Sequence, residues 1–440
     1  MTARVLELIR RRAMNKPYPK YKHSGAEWLG DVPEHWEEKR LRFLVDSIEQ
    51  GWSPQANSTP ANEGELGVLK LSAVNHGQFL PHENKMIEEI PFDQGVIFPE
   101  KGDILITRAN TPELVGDSCC LNETYRNLII ADLIYRLKIK NTRVDGFYLV
   151  YFLLTREGRV QIESSARGAN GSMVKLGQSH LKDFLILLPP LPEQQAIAAF
   201  LDRETGRIDA LIAKKIKLLE LLAEQRIALI SRAVTKGLET SGKLKPSGVE
   251  WLGDVPEHWE IKALRYICRI ETGDKDTVDA EDDGDYPFFV RSQTVEKINS
   301  FTKNCEAVLT AGDGVGVGKV FHYYDGKFDF HQRVYLFSNF KKVTGRFFFL
   351  FLKENFWRVA LEGGAKSTVD SLRRPMIASF PFALPPLPEQ QAIAAFLDRE
   401  TAKIDALSAK VTTIIERLKE YRTALISSAV TGKIDVREVV

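Results

Sequence analysis

Two stretches of the chain carry apolar residues in alternating steps of four and three. In the later one they fall at Ile393, Leu397, Ile404, Leu407, Val411, Ile414, Leu418, Tyr421 and Leu425, and only Glu400 interrupts the series. That spacing predicts a long helix with a heptad seam. The earlier stretch keeps Ile197, Leu201, Ile208, Leu211, Leu218, Leu222 and Leu229 in the same register, with Lys215 and Gln225 as polar breaks. Pro192 and Pro388 suit a first helical turn, where no N–H is needed, and Glu193 and Glu389 favour its positive end. Gly237 and Gly432 follow the last periodic residues as C-terminal caps. A helix of about forty residues is roughly 60 Å long, and a rod with one narrow seam leaves apolar surface uncovered. Two matched rods in one chain predict that they pair; the pattern leaves open whether they run parallel or antiparallel.

Elsewhere the period is two. Gly64–Leu80, Gly95–Asn110 and Asn127–Lys140 alternate apolar and polar residues between glycines, and so do Tyr286–Phe301 and Ala307–Phe337. These read as short strands. Gly146–Thr155 reads as a helix, and the aromatic-rich Gly345–Phe356 occupies the comparable place later in the chain.

The chain repeats itself. WLGDVPEHWE stands at Trp28–Glu37 and at Trp251–Glu260, 223 residues apart. LPPLPEQQAIAAFLDRET stands at Leu188–Thr205 and at Leu384–Thr401, 196 apart. Identical frames thus enclose two unlike inserts, roughly Glu38–Leu187 and Ile261–Ala383. We expect an α+β chain of two α/β domains separated by a long two-helix coiled coil. Its segments are residues 1–187, a first helix in 188–240, 241–383, and a second helix with its tail in 384–440. The repeated decapeptide reads as a turn whose tryptophans pack on the neighbouring helix or strand, with His35 and His258 as passengers. It would mount each insert on its frame.

Composition narrows the class. The 44% apolar and 27% charged residues are ordinary for a globular protein, and no run suits a membrane span or a secretory leader. Cys119, Cys120, Cys268 and Cys305 lack metal spacing and read as reduced thiols of a cytoplasmic protein. Sixty basic against 59 acidic residues give a net charge of +1, so a nucleic-acid footprint must be local.

Catalytic patterns fail on inspection. Gly312–Lys319 has Asp313 and Val320 where a phosphate loop needs glycine and a hydroxyl, so it reads as a glycine-rich hairpin turn. His322 and His331 lack metal-ligand spacing. There is no Asn-Pro-Pro-aromatic tetrapeptide and no Gly-x-Ser-x-Gly elbow. No metal ligands and no catalytic residues are expected.

The duplicated frame, the unlike inserts, the paired PLPEQQ helices and the W-L-G-D-V-P-E-H-W lead-in together resemble the specificity subunit of type I restriction–modification systems, from about Lys16 to Lys433. The second insert's GDGVGVGKVFHYYDGKF is similar to that family's glycine-rich segment; the first has GDILITRAN in the comparable place. The resemblance implies two target-recognition domains, each reading half of a split site in double-stranded DNA. It also implies an antiparallel, pseudo-twofold helix pair that sets the spacing and docks two methyltransferase subunits. Those partners would carry S-adenosylmethionine, a motor–nuclease subunit would use ATP and Mg2+, and this chain would bind no cofactor itself. Candidate DNA contacts are Lys70, Asn75, Arg108, Asn110, Arg167, Asn170 and Lys175 in the first insert. In the second they are Arg291, Gln293, Lys319, Lys366, Ser367 and Arg373. The residues alone also fit a coiled-coil scaffold with protein- or glycan-binding inserts.

Overall fold

The computed structural model describes residues 17–26, 28–62, 64–88, 95–167, 173–239, 241–358 and 372–437. The chain divides into two compact units: residues 1–214 with 414–440, and residues 215–413. Neither boundary falls at an insert's edge. Both lie inside the long helices, Leu191–Lys236 and Leu387–Val430, so each unit holds one insert and a part of both helices.

In unit 1 the central sheet runs Ser118–Cys120, Ile104–Thr107, Ile134–Ile139, Val45–Gln50, all antiparallel. In unit 2 the same order appears as Phe321–Phe330, Lys303–Ala311, Val334–Ser338, Arg269–Thr272. Two inserts with almost no common sequence therefore share a four-strand core. The register matches as well. Tyr135 lies opposite Ile106 and donates its hydroxyl to the Leu176 carbonyl at 3.2 Å; Tyr335 lies opposite Thr310 and donates to Leu372 at 3.0 Å. A helix follows each sheet, Gly146–Leu154 and Gly345–Asn355, opened by Asp145 and Thr344 accepting from the N–H three residues on. Unit 2 extends its sheet to six strands with Tyr286–Phe289 and Glu296–Ile298, whereas unit 1 keeps Leu66–Leu69, Asn84–Ile87 and Leu128–Ile129 as a separate three-strand sheet.

The long helices pair antiparallel within each unit. In unit 1 Arg422 meets Asp209 at 3.0 Å, while Gly432, at the end of the second helix, abuts Trp36, whose indole reaches Glu193 at the start of the first. In unit 2 Arg226 meets Asp405 at 3.1 Å and Gly237 abuts Glu389. Gly237 and Gly432 have φ of +75° and +72°, as C-terminal caps require.

Ile197, Leu201, Ile208, Leu222, Ile393, Leu397, Val411, Leu418 and Leu425 are buried, and Leu211, Leu218, Leu229, Ile404 and Ile414 are partly so. Leu407 departs from the expected seam: it is 44% exposed, and Ile415 is buried at 8%. A straight α-helix drifts about 20° per heptad from a 3.5-residue repeat, so the buried stripe moves off the strict heptad positions. No described helix is long and apolar enough to cross a membrane.

Candidate nucleic-acid interface

Each insert is mounted by one joint, and the two long repeats are its halves. Trp36 is fully buried and its Nε1 donates to Glu193 at 2.9 Å; Trp259, equally buried, donates to Glu389 at 3.1 Å. His35 and His258 bond the other carboxylate oxygen at 2.8 and 2.7 Å. They are thus part of the joint, contrary to the reading of them as passengers. In unit 1 Tyr18 adds a third donor at 2.7 Å, its hydroxyl held protonated by burial and by the Glu193 charge. The next residue completes the mount. Gln194 accepts from the Asp145 N–H and donates to the Arg143 and Pro189 carbonyls; Gln390 does the same with Thr344, Lys342 and Pro385.

Strand pairing closes it, with Glu37–Arg40 on Leu185–Leu188 and Glu260–Ala263 on Pro381–Leu384. Pattern reasoning overlooked Glu193, Gln194, Glu389 and Gln390 as joint residues, although their identity in both copies was the available signal. The first tryptophan of the decapeptide behaves differently in the two copies. Trp251 stacks on Phe380 under Arg358, while Trp28 is 40% exposed, against the expectation that both would pack. In unit 2 the residues just beyond Gly345–Asn355 supply that arginine, whereas in unit 1 the arginine at the same offset from the helix start, Arg159, donates instead to the Val115 and Pro112 carbonyls at 2.5 and 3.0 Å.

Beyond its mount, each insert gathers polar and basic residues where the second core strand ends and the third begins. In unit 1 the chain leaves Thr107 through Arg108 into Ala109–Asn110, which pairs with Val174–Lys175, and Lys175 bridges Arg167. Four candidates, Arg108, Asn110, Arg167 and Lys175, therefore share one patch. Arg167 and Lys175 are exposed, and Arg108 lies over the Tyr135 ring at 5.9 Å. Asn75 is exposed on the two-residue strand Val74–Asn75, and Lys70 pairs with Glu83 at 3.6 Å. Among the described residues neither is bonded to the patch.

In unit 2 the corresponding turn is Gly312–Lys319, joining two antiparallel strands as the hairpin reading expected. Gly314 and Gly318 adopt φ of +73° and +68°, and a Cβ at Gly318 would stand 2.8 Å from the Trp357 backbone. Only glycine fits there. Asp313 anchors the turn, accepting from Arg291 at 2.9 Å and Arg333 at 2.7 Å. Partial burial works to raise its pKa, but the two guanidinium hydrogen bonds outweigh that and hold it below the usual range. Leu372 N–H bonds the Gly312 carbonyl at 2.8 Å, so exposed Arg373 flanks the same turn as exposed Lys319. Exposed Gln293 follows Arg291 by two residues. Asn170, Lys366 and Ser367 lie outside the described residues. Among the described residues no group of three or more His, Cys, Asp or Glu could hold a metal ion. Cys119, Cys120 and Cys268 are buried free thiols, and burial pushes Cys120 and Cys268 up to about 12; Cys305 is only partly buried.

Residues 33–221 and 256–417 match the family model described as the type I restriction modification DNA specificity domain. The chain is 33% identical over 182 residues to the EcoDI specificity subunit of Escherichia coli, an alignment covering 41% of this chain and 40% of that protein. It therefore spans well under half the length of that relative. It is 24% identical over 438 residues to the MjaVIII specificity subunit of Methanocaldococcus jannaschii, covering 93% of this chain and 95% of that one. Two solved structures share the fold. One is a chain from work on complex assembly and conformational transition of the type I R-M system, at TM-score 0.65 and 17% identity, covering 90% of this chain and 98% of that one. The other is the HsdS subunit of Thermoanaerobacter tengcongensis, at TM-score 0.55 and 17% identity, covering 91% and 98%.

Proposed function

This chain belongs to the type I restriction–modification DNA specificity family, and on that premise we propose that it selects the DNA sequence on which a restriction–modification complex acts. Each insert reads one half of a split site, and the helix pair sets the spacing between the halves. The observation that carries this reading is the contrast between parts. The joints share their tryptophan, histidine, glutamate and glutamine, while the turns they present differ entirely: Arg108–Asn110 beside Arg167 and Lys175 in one unit, Gly312–Lys319 beside Arg373 in the other. Machinery that must stay constant is constant, and the surface that would meet bases is free to vary.

A good bidentate contact to a base discriminates by about 1–3 kcal/mol, so a few per insert suffice for a short half-site. A rigid spacer then makes the second half-site an intramolecular target at high effective concentration. In this reading two methyltransferase subunits dock on the helices and carry S-adenosylmethionine. ATP and Mg2+ belong to the motor–nuclease subunit, and this chain performs no covalent chemistry. With a net charge of +1 the chain alone releases few counterions, so it binds DNA weakly until the methyltransferases clamp the duplex.

Single-molecule methylome sequencing of the host with and without the gene tests this. A bipartite methylated motif should vanish with the gene. Replacing residues 261–383 by the insert of another family member should change one half of the motif and leave the other intact. A change in both halves, or none, would refute the reading.

A further inference from the structure

Because the two inserts share a core, one unit shows what the matching place in the other can hold. In unit 2 Arg346 donates Nε to Asp398 of the second long helix at 3.2 Å, and its guanidinium lies over the Phe349 and Tyr323 rings at 5.3 and 5.7 Å. The repeat places Asp202 where unit 2 has Asp398. Phe147 takes the place of Arg346, since each is the second residue after its capping Asp145 or Thr344. Strand register puts Cys120 opposite Ile104 where unit 2 has Tyr323 opposite Val308. Unit 1 thus keeps the carboxylate and lacks both the arginine and the large ring.

A cleft of about 540 Å³ opens at that spot. Asp202 lies on its wall with the Tyr151 hydroxyl as its hydrogen-bond donor at 2.6 Å, and no described basic side chain pairs with it. Phe79, Tyr125 and Phe147 supply ring faces nearby. The other charged groups lining the cleft already have partners: Arg422 meets Asp209 at 3.0 Å, and His76 meets Asp117 at 3.4 Å. An accessible carboxylate beside aromatic faces is suited to a planar cation, which can pair with the one and stack on the other.

We propose that this cleft takes a single guanidinium group, an arginine side chain presented by a partner polypeptide, in the place that Arg346 fills from within the chain in unit 2.

The full chain can be titrated by calorimetry with propylguanidinium, its neutral isostere propylurea, and Nα-acetylarginine amide. Saturable propylguanidinium binding with a dissociation constant on the order of 1 mM is expected, with none for propylurea. Acetylarginine amide should bind at least as well. Asp202→Asn should weaken binding about tenfold, as loss of a charge-assisted hydrogen bond would. Phe147→Arg should abolish it by supplying the arginine in place, and Asp398→Asn should leave it unchanged. Equal binding of the charged and neutral probes, no saturable guanidinium binding, or indifference to both unit 1 variants would overturn the site. Exclusion of acetylarginine amide alone would overturn its assignment to a polypeptide side chain.

Discussion

Glu193 accepts hydrogen bonds from Tyr18, His35 and Trp36 with its side chain only 5% exposed, whereas Glu389 serves two donors and is 27% exposed. Removing an acceptor from buried donors costs about 1–3 kcal/mol, far more than breaking a solvated contact. Glu193→Ala should therefore destabilise the chain by about that amount in urea denaturation, and Glu389→Ala by visibly less. Equal losses would mean that the joint's strength lies elsewhere.

Asp313 makes a different kind of prediction. Its carboxyl titrates lower in the folded chain than unfolded, because the Arg291 and Arg333 hydrogen bonds outweigh partial burial. Its stabilisation is thus present above the unfolded pKa and lost as pH falls through the folded one. Urea midpoints followed from neutral to acid pH should fall less steeply for Asp313→Asn than for the parent chain.

At the level of elements, the helix seam has strong and weak positions. Leu425 is fully buried and Leu407 is 44% exposed, although both occupy heptad positions. Leu425→Ala should cost about 2–5 kcal/mol, as buried leucine truncations do. Leu407→Ala should change stability by about 0.5 kcal/mol or less. Thermal unfolding of the two variants checks the difference.

The small sheet of Ala109–Asn110 with Val174–Lys175 holds the unit 1 patch together. If Arg167 and Lys175 meet phosphates, alanine at either should weaken DNA binding of the assembled complex uniformly across sequences. Each should also reduce the slope of log K against log salt by about 1. A loss confined to particular base pairs would instead mark direct readout.

For the whole molecule, the consequence of the unit boundaries is that neither insert is packed on its own helix alone. Ile197, Leu201 and Ile208 belong to one core cluster with Leu418 and Leu425, and Ile230 and Val234 to another with Ile393 and Leu397. A chain ended at residue 240 would leave the first set without its partners. Its own helix carries the same repeat as the missing one, so it should self-associate through that face. Sedimentation of such a truncation should show a dimer or larger species; a stable monomer would contradict the packing.

What could be read directly from the residues was periodic or repeated: the helix seam, its glycine stops, the tandem frames and the hairpin character of Gly312–Lys319. Local spacing constrains these because a 3.6-residue helix and a two-residue strand each write their own pattern. Other features were decided only when distant segments met in space. The joint's tryptophans and histidines lie 130 or more positions from the glutamates they bond, so the partners of Glu193 and Glu389 left no local trace. The common four-strand core also escaped sequence comparison, because a buried sheet demands apolar volume at each position and not a particular side chain. Antiparallel pairing lay equally beyond the heptad pattern, which reads the same in both directions; the paired charges of Asp209 with Arg422 and Arg226 with Asp405 reveal the direction only after the chain has folded.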